Sequence, residues 1–160
     1  GVYGQTKLDG ENLALANNPK TIILRTAWVY SRFGNNFVKT MLRLFNDKDS
    51  ISVVADQIGS PTNAIDLANA ILEIVSKDEL VYGIYNYSNE GECSWFEFAQ
   101  KIKEFSGSSI EINPVPTSAY PTKAKRPAYS LLDKSKIKEV YQLEIPTWED
   151  SLKEELKHLI

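Results

Sequence analysis

An α/β fold is predicted by three observations. Helical and strand-like segments alternate along the 160 residues, one strand is almost continuously apolar as in a parallel sheet, and several helices carry one-sided apolar spacing. With 42% hydrophobic residues, a chain of this length can bury the core of one compact unit.

From Tyr3 to about Ala16 the residues favour helix, with Leu8, Leu13 and Leu15 as apolar content, and Asn17-Asn18-Pro19 stops it. The segment "TIILRTAWVY" follows, β-branched at Thr21, Ile22 and Ile23, and reads as a strand buried on both faces. After Gly34, the four-residue steps Phe37, Met41 and Phe45, flanked by Val38 and Leu42, predict an amphipathic helix to about Asn46 whose stripe is core. "ISVVAD" is a strand. "GSPTNAIDLANAILEIVS" is a turn feeding a helix with Ala64, Leu67, Ala68, Ile71, Leu72 and Val75 along its inner face. "GIYNYSN" is the next strand, and Ser94 with Glu97 has the spacing of a capping box at the start of "SWFEFAQKIKEF". "SSIEI" is a short strand, and 113–127 is irregular, with four prolines and no periodicity. Two small helices close the chain, after Asp133 and after Thr147, where Thr147 and Asp150 repeat the capping pattern.

Composition excludes several classes. A formal charge of -3 and a pI near 5.3 do not supply the clustered cations that nucleic acid requires, the one dense basic run being Lys123, Lys125 and Arg126. No apolar run reaches the roughly 20 residues of a membrane span, and no secretory leader is evident. Cys93 stands alone, so neither an internal disulfide nor a multi-cysteine metal cage can form, which points to a reducing, cytoplasmic setting. No His, Cys or carboxylate cluster has zincin or EF-hand spacing. The chain begins at Gly1 without Met, so a processed product or a fragment is expected. A doubly wound fold usually carries a glycine-rich phosphate turn after its first strand, and none occurs in these residues.

Tyr3 and Lys7 are one helical turn apart and face the same side. A phenol holds its proton at neutral pH, and a nearby ammonium favours the phenolate, moving tyrosine towards general acid and base work. A solvated i,i+4 neighbour pair is the alternative.

The Tyr-x-x-x-Lys helix ahead of a buried strand resembles the extended, nucleotide-sugar-acting branch of the short-chain dehydrogenase/reductases. "YGQTKLDGE", "ILRTAWVYSRFGNNFVKTML", "VVADQIGSPTNAIDLA", "YNYSNEGECSWFEFA", "AKRPAYSLLD" and "WEDSLKEEL" are similar, in order, to blocks of the dTDP-4-dehydrorhamnose reductase family. The resemblance implies the C-terminal part of a Rossmann-like, NAD(P)-binding fold plus a small α/β substrate-binding lobe. Residues 1–33 would be the catalytic helix and following strand, and 34–160 mainly the lobe, with segments returning to the Rossmann sheet. The glycine-rich half, with a Ser or Thr completing the catalytic group, would lie outside this chain.

The implied reaction is reduction of the C4 ketone of dTDP-4-dehydro-L-rhamnose by NADPH or NADH. Tyr3 would protonate the oxygen, and Lys7 would hold the nicotinamide ribose; both therefore count as catalytic and cofactor-binding. Trp28 would pack on the deoxysugar, or else fill core, while Arg25 beside it reads as structural. Asn35 and Asn36 would bond substrate oxygens, or serve as turn and cap residues. Arg126 would take the diphosphate through paired guanidinium donors, or be a solvated basic turn. "GSPT" with Gln57 would be a substrate-side loop or, the favoured reading, a helix start at Pro61 and Thr62; Cys93 reads as a small packed residue and His158 as a surface or packing histidine, while Tyr129 and Asp133 receive no chemistry. The family includes metal-bridged dimers, so a homodimer and Mg enter as options, with no ligand set in this chain to support the metal. The rivals are a nucleotide-sugar epimerase or dehydratase of the same branch and a noncatalytic, reductase-like regulatory subunit that binds a protein partner.

Overall fold

The computed structural model describes residues 1–120 and 126–160. The first element is helix α1 (Val2–Asn17), followed by β1 (Ile22–Arg25) and the two-residue β2 (Val29–Tyr30). Helix α2 (Phe37–Asp47), β3 (Ser50–Val54), β4 (Ile58–Gly59), β5 (Thr62–Asn63) and helix α3 (Ala64–Val75) make up the middle of the chain. Then come β6 (Gly83–Asn86), β7 (Cys93–Ser94), α4 (Trp95–Ser106), β8 (Glu111–Val115), α5 (Ser135–Tyr141) and α6 (Trp148–Leu156).

Three strand pairs are parallel, β1 with β6, β2 with β5 and β3 with β8, while β4 and β7 are antiparallel. Parallel partners need a crossover between them, and helices α2, α3 and α4 provide it. The apolar side chains gather into two cores. One centres on α2, α4 and α6, with Val38, Met41, Phe98, Ile102, Trp148 and Leu152. The other lies against β1 and β6, with Ala70, Ile74, Tyr85, Tyr87, Ile137 and Tyr141.

The expected capping box is present: the Glu97 amide donates to Ser94 Oγ at 3.1 Å and the Ser94 amide to Glu97 Oε2 at 2.6 Å. Gly107 ends α4 in the left-handed conformation. Thr147 caps α6 through the Asp150 amide.

Three expectations need correction. The apolar run at 21–30 is two strands, only half-buried at Ile22 to Leu24 and broken at Trp28, whose φ of 51° is left-handed. Among the described residues β1 pairs with β6 alone, so its other edge has no strand partner. On α3, Ala70 and Ile74 are buried whereas Ile71, Leu72 and Val75 are exposed, which rotates the inner face away from the one expected. Finally, β8 runs through Pro114 into a stretch expected to be irregular. The Glu111 amide donates to Asp49 and the Val115 carbonyl accepts from Ala55, so alternate residues face β3 and Pro114 turns its missing N–H outward.

A buried ion pair links two distant segments. Glu155, 1% exposed, accepts from the Arg32 amide and, at 2.9 Å, from Arg32 Nη2. Burial alone would raise the Glu155 carboxyl, but the hydrogen bonds and charge of Arg32 outweigh it and hold the group below its usual 4.5. A carboxyl lowered by folding stabilises fully above that value, and the contribution is lost as pH falls through the folded value. Urea denaturation is therefore expected to show stability dropping below about pH 4.5, with a shallower acid limb in Glu155→Gln; an identical limb would contradict the assignment.

Cys93 is 2% exposed, and burial, followed by the nearby charges of Glu97, Glu149 and Glu92, pushes its thiol up. A protonated, shielded thiol is a poor nucleophile. A chromogenic disulfide reagent is expected to leave native Cys93 unmodified and to react fully in urea; prompt native reaction would contradict the packing.

Candidate functional site

Helix α1 has no buried residue, and Gly4 and Gly10 weaken it further. One bidentate contact ties it down: Arg25 Nε and Nη2, at the end of β1, donate to Glu11 at 2.8 and 2.5 Å. The hydrogen bond from Arg25 holds the Glu11 carboxyl below its usual value. Arg25 is thus structural, as expected, and it sets α1 against the strand leading to Trp28.

Tyr3 and Lys7 share one face of α1, with the Lys7 ammonium over the Tyr3 ring, 5.6 Å from its centroid. Tyr3 is 77% exposed. Neither side chain forms a hydrogen bond or ion pair with the described residues, so hydroxyl and ammonium are both available to a ligand.

Trp28 stands where the chain leaves β1. Its indole stacks on Trp95, with centroids 3.6 Å apart and planes 13° from parallel, and it remains half-buried. Gly59 approaches the same ring so closely that an added Cβ would sit 2.8 Å from Trp28 Cε2. Trp28 O accepts from the Thr62 amide, and the Thr62 hydroxyl donates to Ala27 O.

The segment bearing Arg126 meets this group at β4. The Ile58 amide donates to Ala128 O at 2.8 Å, the Ser130 amide to Ile58 O at 2.9 Å, and Tyr129 bridges Ile58. Arg126 itself is exposed. Lys123 and Lys125, the rest of the basic run, lie outside the described residues. Asn36 caps α2: its Oδ1 accepts from the Lys39 amide and its Nδ2 donates to Ser31 O at 2.6 Å. Asn35 is exposed beside the left-handed Gly34.

In "GSPT" every polar side chain is engaged internally. Ser60 donates to Asn89 O, Thr62 to Ala27 O, and Gln57 to Thr117. Tyr129 donates to Glu92 at 2.7 Å, and His158 is exposed. Among the described residues no group of three or more His, Cys, Asp or Glu could hold a metal ion, and no helix is long and apolar enough to cross a membrane.

Sequence reasoning missed Trp95, Gly59 and Ser130 around the indole. The Ser94–Glu97 box places Trp95 in the first turn of α4, but only the folded chain reveals which ring it meets.

A Tyr-x-x-x-Lys helix tied to a parallel strand, joined to the larger α/β core with its aromatic platform, defines the class: the extended short-chain dehydrogenase/reductase fold. The chain belongs to the family described as the RmlD substrate binding domain, whose model matches residues 1–160. It is similar to a dTDP-4-dehydrorhamnose reductase of Aggregatibacter actinomycetemcomitans, 43% identical over 95% of this chain and 55% of that protein. Among solved structures, the dTDP-4-dehydrorhamnose reductase of Bacillus anthracis in complex with NADP matches with a TM-score of 0.92 and 40% identity, over all of this chain and 56% of that one. The corresponding enzyme of Clostridium acetobutylicum gives 0.91 and 43%, over 98% and 55%. The chain spans about half the length of the curated relatives it matches.

Proposed function

We propose that this chain acts as the catalytic-helix and substrate-binding part of an NAD(P)H-dependent reductase that converts the C4 ketone of dTDP-4-dehydro-L-rhamnose to the alcohol, in the cytoplasm. The observation that carries the reading is the Tyr3–Lys7 pair, exposed on one helical face within a chain whose whole length matches the family.

The residues fit a dinucleotide. Lys7 would donate to the nicotinamide ribose hydroxyls, and Tyr3 would hydrogen-bond beside it. The reduced nicotinamide, when bound, supplies the hydride. Tyr3 delivers its phenolic proton to the ketone oxygen as negative charge develops there, and the Lys7 cation stabilises the phenolate left behind. Trp28 offers an aromatic surface to the deoxysugar, and Arg126 offers paired donors to the diphosphate. Asn35, which is exposed, would meet substrate oxygens, whereas Asn36 Oδ1 caps α2 and its Nδ2 holds the Ser31 carbonyl.

In this reading residues 1–33 belong to the dinucleotide-binding portion, and 34–160 form mainly the substrate lobe. The second core supports that division, since α3 and β6 return to pack with Ile22 and Leu24 of β1.

Joined to a dinucleotide-binding half, the protein is expected to consume NADPH or NADH only when the dTDP-4-keto sugar is added, yielding dTDP-L-rhamnose. The 160-residue chain alone is expected to bind dinucleotide poorly and show no turnover. Full activity of the chain alone, or isomerised UDP-sugar with no net cofactor consumption, would contradict the proposal.

A further inference from the structure

Trp28 is held in a way that a core-filling side chain does not need. Its backbone is left-handed at φ 51°, a conformation that costs a bulky residue energy and persists only where the surroundings enforce it. The enforcing contacts come from separate parts of the chain. Trp95 stacks face to face on the indole at 3.6 Å. Gly59 leaves room that a methyl group would fill, with Trp28 Cε2 and Cζ2 at 2.8 and 2.9 Å from an added Cβ and Ser130 Oγ at 2.9 Å. Trp95 is itself wedged against the larger core, its ring 4.7 Å from Phe37 and 6.5 Å from Phe98. Its backbone is fixed by the capping box that opens α4.

We propose that Trp95 is a positioning residue for the nucleotide-sugar site: its stack, together with the Gly59 gap, sets the angle at which the half-buried Trp28 indole meets the sugar ring. The inference rests on the proposed sugar contact of Trp28. It adds that the selective surface is a two-indole platform anchored in α4, so that binding depends on a residue that never touches the ligand. The two stacked rings bury each other's faces, and a displaced platform loses its ligand contacts with it.

The test uses the complete reductase and separates KM from kcat. Trp95→Leu is expected to raise KM for the dTDP-4-keto sugar by about tenfold with kcat within about twofold. Trp95→Phe, which keeps a stacking ring, is expected to recover most of that loss. Trp28→Ala should raise KM at least as much, and the double variant Trp28→Ala/Trp95→Leu should be no worse than Trp28→Ala, since both act through one surface. Gly59→Ala reaches the same indole from its other contact and is expected to raise KM in the same sense; it decides the matter should Trp95→Leu not fold. The unmodified protein offers an independent readout. The exciton couplet of two stacked indoles in far-ultraviolet circular dichroism should persist when substrate saturates the site.

A normal KM in folded Trp95→Leu, beside a raised KM in Trp28→Ala, would overturn the positioning role and leave the sugar contact standing. A normal KM in Trp28→Ala would overturn both. Loss of the couplet on substrate binding would show an indole that swings free, and would equally overturn the inference.

Discussion

Tyr3→Phe in the complete reductase is expected to lower kcat by about 10²–10⁴-fold, the usual contribution of a positioned proton donor, while the KM for nucleotide sugar stays within about twofold. The substitution removes one oxygen from an exposed side chain on a helix that buries none of its residues. Stability therefore cannot account for a change in rate. The hydroxyl makes no hydrogen bond with the described residues, so nothing in the fold is left unpaired by its removal. In the proposed mechanism, what is lost is the proton that the alkoxide oxygen would receive, and with it the differential stabilisation of the transition state over bound substrate. Lys7→Met should lower the rate too and should also weaken dinucleotide binding, because the ammonium is assigned both the ribose and the phenolate. Rate measurement under saturating substrate decides the matter: an unchanged kcat in Tyr3→Phe removes this residue from the mechanism.

The largest loss of stability is expected at Asn89, a wholly buried side chain on no helix or strand. Its Oδ1 accepts from the Asn63 amide at 2.7 Å, and its Nδ2 donates to Asp66 Oδ2 at 2.7 Å, Ser151 Oγ at 2.8 Å and Pro146 O at 3.3 Å. Its backbone carbonyl accepts from Ser60 Oγ and from the buried Lys134 ammonium, at 2.6 and 3.2 Å. One residue thus joins the turn before α3, the start of α5 and helix α6. Asn89→Leu keeps the volume but strands the Asn63 amide and strips a donor from Asp66. Each unsatisfied buried group costs about 1–3 kcal/mol, more when charged, so a loss of about 4 kcal/mol in urea denaturation is expected. That is a large fraction of the roughly 5–15 kcal/mol typical of a domain. A loss below about 1 kcal/mol would mean that water replaces the amide and that the network is not a structural hub.

Much of the fold was legible because its signals are local. The four-residue apolar step of α2 and the Ser94–Glu97 box each need only one turn of chain, and the structure forms both. The short strands β2, β4, β5 and β7 were not legible, since two residues carry no periodicity. The inner face of α3 was misread because apolar spacing marks a helix but cannot say which of two apolar stripes finds a partner. Among the described residues Ile71, Leu72 and Val75 remain exposed. Residues 113–127 were read as irregular for their prolines and lack of periodicity, yet at Pro114 the missing donor faces outward from the β3 pairing and the strand continues to Val115.

The candidate site divides in the same way. That Tyr3 and Lys7 share one face of α1 was readable from their spacing, and the ammonium lies over the ring; their roles came from the family resemblance alone. The positive φ of Trp28 was not readable, and the residues packed on its indole, Trp95 and Gly59, lie far along the chain. Asn36 illustrates the ambiguity of asparagine after glycine: its amide can serve a ligand or the fold, and the folded geometry gives its Oδ1 to the end of α2 and its Nδ2 to the Ser31 carbonyl.

The most direct measurement is a crystal structure of the complete reductase with dinucleotide and a dTDP-sugar bound. The Tyr3 hydroxyl is expected within about 3 Å of the sugar C4 oxygen, the reach of a proton donor, with the Lys7 ammonium on the nicotinamide ribose. A Tyr3 side chain directed away from C4, with another group hydrogen-bonded to that oxygen, would contradict the account.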